Sequence, residues 1–355
     1  MSNATVRHTV TLKEAVAAIL AVRKNRYMLM GEPGVGKSAT IKALEEATGY
    51  PSAYIDCPNL DIGDVAMPVI NHETKTTGFY PNARFKLHEG EPVIIMLDEF
   101  TKAMDPVKNM LHPLLEVNNP RLGDVPVPEG SIIFMTGNLE DDGVGDSMLA
   151  HTKMRITRVE VTKPNHEQWL PWAANNGIHP VVMAWVNRNP ECLTSYRDGA
   201  SNPYIFDPSK VQGAVVTPRT LELASNIVWE KDNMPFNAML ASLAGTIGEA
   251  AAESMAAFIR HHDALPKWEE IMKNPTGCRL PEDGNAGAMA MIVFNAVQRI
   301  QNKDDVSSML KYLNRADEEW QTLFCLQIAS DAKKQSMAFS CGAFAEWVVK
   351  NEDLL

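Results

Sequence analysis

The chain has 355 residues, 45% of them hydrophobic, and a formal net charge of −11. The apolar share excludes global disorder, and the length suits roughly two domains. The acidic balance disfavours nonspecific binding of a phosphate backbone by the chain as a whole. No apolar run reaches the ~18 residues of a membrane-spanning helix. The start has no apolar leader-like stretch, which makes the cytoplasm the expected location.

In chain order, "TLKEAVAAILAVRKN" places Leu12, Val16, Ile19 and Leu20 at helical spacing. "YMLM" (27–30) reads as a strand running into Gly31, and "SATIKALEEAT" reads as a helix stopped by Gly49. "SAYID" (52–56) is a second strand. Residues 57–92 exceed an ordinary connection, and "MPVINHETKTTGFYP" suits a hairpin with its tip near Glu73–Lys75. "PVIIMLDEF" (92–100) is the strongest buried-strand signal. "DPVKNMLHPLLEV" follows, with Asp105 as helix cap and Pro106 at the first helical position. "RLGDVPV" predicts a tight hairpin at Gly123-Asp124, "SIIFMTGN" a further strand, and the alternating "RITRVEV" (155–161) an edge strand.

This alternation predicts an α/β fold with a parallel sheet through about residue 163. Beyond Pro164 the chain reads as helices, divided by a proline- and glycine-rich stretch from residue 265. Three regions are expected: 1–163, 164–264 and 265–355. In the last, Trp320, Phe324, Phe339 and Phe344 are expected in a packed core. The five cysteines, Cys57, Cys192, Cys278, Cys325 and Cys341, form no CxxC pair, so buried thiols are expected rather than zinc ligands or disulfides.

The chemistry begins at "GEPGVGKSA". A GxxxxGK[ST] loop between strand and helix lets backbone N–H groups converge on phosphate oxygens, helped by the helix dipole. Gly31, Glu32, Pro33, Gly34, Val35, Gly36, Lys37, Ser38 and Ala39 form this candidate cradle. Lys37 would reach the β- and γ-phosphates, and Ser38 would ligate magnesium. Two carboxylates ending a buried strand cost free energy unless paired. Asp98 is therefore the candidate for the magnesium shell and Glu99 for polarising an attacking water. Asn138, ending the neighbouring strand, either orients that water or closes a turn. Arg219 follows Thr217 and Pro218, in the first turn of a helix. A cation there opposes the dipole unless an anion lies nearby. Arg155 and Arg158 lie on opposite faces if both are on one strand, and either is a candidate to project into a neighbouring subunit.

Taken in order, these pieces resemble the AAA+ ATPases and, within them, the MoxR-type branch. The resemblance rests on "GEPGVGKS" (Walker A), "VIIMLDEF" (Walker B), "FMTGN" (sensor 1), Arg155 before a strand (arginine finger) and "TPRTL" (sensor 2). The insertion leading through "GFYPNARF" into Walker B and "LLE" also resembles the MoxR arrangement. The match spans about residues 10–230. It implies a five-stranded αβα core and a helical lid; the C-terminal helical extension after about residue 265 lies beyond the match and is read from the sequence alone. It also implies a hexameric ring with ATP and Mg2+ at subunit boundaries. The finger departs from the family's Asp-Arg-Phe, reading Met154-Arg155-Ile156. The branch often works with a von Willebrand factor A domain protein, which here would be a separate chain.

The leading expectation is thus an ATP hydrolase that remodels or helps assemble a protein client. The alternatives are an ATP-gated scaffold with slow hydrolysis and a nucleic-acid-directed motor. The last draws on Lys75, Arg84, Lys86 and Arg121 against the acidic balance.

Overall fold

The computed structural model describes residues 8–139, 150–208, 213–262, 265–281 and 285–351, which form two compact units, Met1–Lys163 and Pro164–Leu355. Within the first unit the order is β1 (Thr9–Val10), α1 (Leu12–Ala21), β2 (Tyr27–Met30), α2 (Thr40–Thr48), β3 (Ser52–Asp56), α3 (Ile62–Val65), β4 (Ala66–Asn71) and β5 (Thr76–Pro81). There follow β6 (Ile94–Asp98), α4 (Asp105–Leu111), β7 (Arg121–Leu122), β8 (Val125–Pro126), β9 (Ile132–Gly137), α5 (Ala150–Lys153) and β10 (Thr157–Val161).

Six of these strands make one parallel sheet in the order β1-β10-β2-β9-β6-β3. Its central strands are apolar on both faces, as a sheet covered on two sides requires. Tyr27, Leu29, Ile94, Met96, Ile132 and Phe134 face one layer, where Ile19 of α1 and Leu44 of α2 pack. Met28, Met30, Ile95, Leu97, Ile133 and Met135 face the other, with Val107 and Leu111 of α4. The expected αβα core is therefore present, with one strand more than the five anticipated. The extra strand, β1, has only two residues. Its presence corrects the edge assignment of "RITRVEV": β10 lies between β1 and β2. Two residues are too few to leave a period in the sequence.

Local signals explain most element ends. Thr11 caps α1 in a reciprocal capping box with Glu14, and Gly49 ends α2 in the left-handed conformation. Pro106 does lie in the first turn of α4, but the capping position falls on Met104, so Asp105 is already helical. The helix expected from Ser38 starts as a 3₁₀ turn, Lys37–Ala39, and becomes α-helical at Thr40.

Both predicted hairpins form, β4 with β5 and β7 with β8. They are clamped to each other. The Phe79 N–H donates to Asp124 Oδ2 at 2.7 Å, and the Asp124 N–H donates to the Phe79 carbonyl at 2.8 Å. Gly123 turns with φ +58°, and a Cβ there would lie 2.4 Å from the Phe79 carbonyl oxygen. The longer hairpin exposes Met67, Val69, Ile70, Phe79 and Tyr80.

The second unit contains α6 (His166–Asn175), α7 (Pro180–Arg188), α8 (Pro218–Trp229), α9 (Phe236–Ile247), α10 (Glu249–His262), α11 (Trp268–Lys273), α12 (Ala286–Arg299), α13 (Lys303–Leu313), α14 (Glu318–Ala329), α15 (Ala332–Phe339) and α16 (Gly342–Lys350). α7 is buried on all sides from Pro180 to Val186 and forms the unit's centre. Phe294, Tyr312, Phe324 and Phe344 belong to the same apolar cluster as Trp185 and Leu243, so residues on both sides of position 265 share one core. Trp320 is buried there as well, whereas Phe339 is exposed and lies edge-on to Phe344. Cys57, Cys192, Cys325 and Cys341 are buried thiols, and Cys278 is partly buried. Among the described residues, no helix is long and apolar enough to cross a membrane.

The Gly123 contact makes a direct prediction. Gly123→Ala should open the clamp between the hairpins at a local cost of about 1–3 kcal/mol, because it adds backbone strain to a steric clash. Hydrogen exchange should quicken at the Phe79 and Asp124 amides while β6 and β9 stay protected.

Candidate active site

The carboxyl end of β2 opens onto the cradle. The sheet order reverses around this strand: the chain leaves it towards β3 on one side, and β10 returns on the other. Such a switch point leaves a crevice at the strand ends, where α/β sheets take ligands. Gly31 lets the chain pass close to β10, since a Cβ there would sit 2.9 Å from the Val161 carbonyl oxygen. Gly34 and Gly36 hold φ of +75° and +99°, values that L side chains rarely adopt. The loop is thus folded so that its backbone, not its side chains, lines the cradle.

Lys37 is almost wholly buried. Its ammonium donates to the carbonyls of Gly31 at 2.6 Å and Glu32 at 3.0 Å, and to Asn138 Oδ1 at 3.2 Å. The Asn138 amide nitrogen points the other way, towards Glu99 Oε1 at 3.5 Å. Asn138 therefore links the cradle lysine to the acidic pair, with its oxygen facing the cation and its nitrogen facing the carboxylate.

Asp98 is buried at the end of β6, and both its oxygens are satisfied. Oδ2 accepts from the Tyr54 hydroxyl at 2.6 Å, and Oδ1 accepts from the Thr136 hydroxyl. Glu99 leaves the strand in a left-handed turn, φ +48° and ψ +40°. Its side chain is partly exposed and pairs with Lys102 at 2.7 Å. A pair this open to solvent contributes little stability, about 0–1 kcal/mol, so its consequence is orientation. Tyr54, Thr136 and Lys102 carry no motif signal in the sequence, and only the fold brings them to the acidic pair. Thr136 stands inside the quoted "FMTGN", two positions before Asn138, but only the register of β6 with β9 puts it beside Asp98.

The remaining candidates lie elsewhere. Arg155 follows α5 at the amino end of β10, where the Thr157 N–H donates to the Arg26 carbonyl. The cradle follows the other end of β2, about 13 Å away at strand rise. Arg155 Nε pairs with Glu116 Oε1 at 2.9 Å, and a guanidinium nitrogen lies 3.4 Å from His112 Nε2. Beneath it, the buried Arg26 donates to the carbonyls of Lys24, Leu114 and Glu116. Burial lowers its pKa from the usual arginine value, though an arginine so placed stays charged. Arg158 lies within β10, exposed, opposite Met28 of β2. Arg219 lies in the second unit, exposed in the first turn of α8. That helix is capped by Thr217 and Thr220 in a reciprocal box and started by Pro218.

Residues 26–156 match the family described as the AAA domain of the dynein-related subfamily. The matched segment is an AAA+ ATPase domain. The matched stretch carries Lys37, Asp98, Glu99, Thr136, Asn138 and Arg155, so this P-loop ATP hydrolase holds its acidic pair and cradle within one unit. Among solved structures, NtrX from Brucella abortus in complex with ATP is similar at 13% identity, covering 99% of this chain and 69% of that one, with a TM-score of 0.36. The Thermotoga maritima RuvB Holliday junction branch migration motor is similar at 13% identity over 75% of each chain, with a TM-score of 0.36. Likenesses this remote say nothing of substrate or partner. A search of the curated proteins finds no match.

Lys37→Met keeps the apolar stem and removes the charge expected to meet the phosphates. It should weaken ATP binding by at least about 10-fold, the scale of a lost charge-assisted bond. Titration with a fluorescent ATP analogue would read this, with circular dichroism confirming the fold.

Proposed function

We propose that this AAA+ ATPase works as a ring, hexameric in the MoxR manner, and couples ATP hydrolysis to remodelling or assembly of a protein client. The observation that carries the reading is the split of the site along β2. Lys37, Asn138 and Glu99 are linked at one end, while Arg155 is held at the other. A finger on the far end of its own sheet can serve only the nucleotide of a neighbouring copy. Arg155 is assigned that role in preference to Arg158, which projects from within the strand. Arg219 is assigned to the γ-phosphate as the second sensor.

The residues present also fit magnesium. Ser38 and Asp98 offer hard oxygen donors, and among the described residues no cluster of three or more His, Cys, Asp or Glu forms an all-protein cage. Magnesium ordinarily binds through one or two such groups plus phosphate oxygens. When bound, it would neutralise charge on the transferring phosphoryl group. Lys37 would shift from the loop carbonyls to the phosphates. Glu99 would accept a proton from the attacking water, and Asn138 would hold that water in line.

A protein client, with a separate von Willebrand factor A domain protein as one candidate, is favoured over nucleic acid by the hairpin surface. Met67, Val69, Ile70 and Tyr80 are exposed and apolar, while Arg84 on the same insertion is paired with Asp64. The location remains the cytoplasm on this reading.

Two measurements test the proposal. Glu99→Gln should bind ATP normally and lose turnover by about 100-fold or more, the loss of a general base. Turnover equal to wild type would refute the hydrolytic reading. Arg155→Ala and Glu99→Gln, each inactive alone, should regain up to about a quarter of wild-type turnover when mixed, since subunits then complete one another's sites. No recovery in a mixed assembly would place the finger elsewhere.

A further inference from the structure

Thr136 is uncharged and fully buried in β9, yet its hydroxyl meets both acidic residues of the site. It donates to Asp98 Oδ1 and accepts from the Glu99 N–H at 3.0 Å. A carboxylate only accepts and an amide N–H only donates, so the single hydroxyl proton has one place to go. Both bonds are therefore fixed in direction.

The second bond falls at an unusual point of the backbone. Glu99 is left-handed, with φ +48°, a conformation that residues other than Gly, Asn and Asp seldom hold without support. That turn swings the Glu99 side chain off the strand line, towards Asn138 and Lys102. The Lys102 N–H closes it from the far side by donating to the Glu99 carbonyl at 2.9 Å.

We propose that Thr136 is a positioning residue for ATP hydrolysis, holding the Asp98 carboxylate in its orientation and the Glu99 turn in its left-handed form through one hydroxyl. This rests on the reading of Glu99 as the base. Asn138, just past the same end of β9, bonds Lys37 and Glu99 directly, so its proposed sensing role is separate from that of Thr136.

Valine fills the space of threonine without either bond, and serine keeps both. Thr136→Val should lower kcat by about 100-fold, the scale of a misplaced catalytic group. Its KM for ATP, and its ATP affinity in magnesium-free buffer, should stay within about 3-fold of wild type, since Lys37 and the cradle are untouched. Amide exchange at Glu99 should accelerate. Thr136→Ser should recover kcat to within about 5-fold and restore protection of that amide, which a packing role alone would not predict. A Thr136→Val kcat within about 3-fold of wild type would overturn the inference. So would a Thr136→Ser variant as slow as the valine one with its Glu99 amide protected. Should Thr136→Val fail to fold, Thr136→Ala is compared with Thr136→Ser, and equal turnover in those two overturns it. Loss of turnover in Glu99→Gln with none in Thr136→Val would reject this inference alone. Full turnover in Glu99→Gln would reject the hydrolytic reading beneath it.

Discussion

Two adjacent carboxylates ending a fully buried strand are the constraint on which the first unit depends. A buried charge without partners costs several kcal/mol, so the sheet around β6 has to supply them. β3 supplies the Tyr54 hydroxyl and β9 supplies that of Thr136, one to each oxygen of Asp98. Glu99 escapes burial by leaving the strand, and Lys102 and Asn138 meet it outside. The parallel order β9-β6-β3 is what brings these donors to one end.

The insertions join the sheet at opposite ends: the long one follows the carboxyl end of β3, and the short one precedes the amino end of β9. β9 runs directly from the short β7–β8 hairpin, whose turn is locked to Phe79 of the long hairpin by two backbone-mediated bonds. β3 leads through α3 into β4, the other arm of that hairpin. The exposed apolar strip is thereby anchored through both strands that hold Asp98.

The candidate site was readable to unequal depth. The cradle glycines, Lys37, Asp98, Glu99 and Asn138 are visible because each sits at a strand end marked by a switch from apolar to polar residues. The ladder that connects them was not visible. Tyr54 reaches Asp98 diagonally across two strands separated by 44 positions, and Thr136 spans 38. Such pairings depend on register, which a single strand's period does not contain. Arg26 leaves no signal for the same reason: its value lies in three carbonyls, two of them some 90 positions away. Two residues have no period, so β1 leaves no mark in the sequence and β10 reads there as an edge.

The sequence by itself determined the local chemistry. It set the left-handed glycines of the loop, the caps at Thr11 and Thr217, the breaks between helices, and the apolar strands that demand cover on both faces. These follow from each residue's own backbone freedom and from periods of two and 3.6. Only the tertiary structure decided which strands are neighbours. That choice gave Asp98 its two hydroxyls, fixed Glu99 in its turn and sent Arg155 to the far end of the sheet, away from its own cradle. Those outcomes come from packing apolar faces that are distant in sequence. Loop closure and burial of the whole sheet select that arrangement, and no short stretch encodes it.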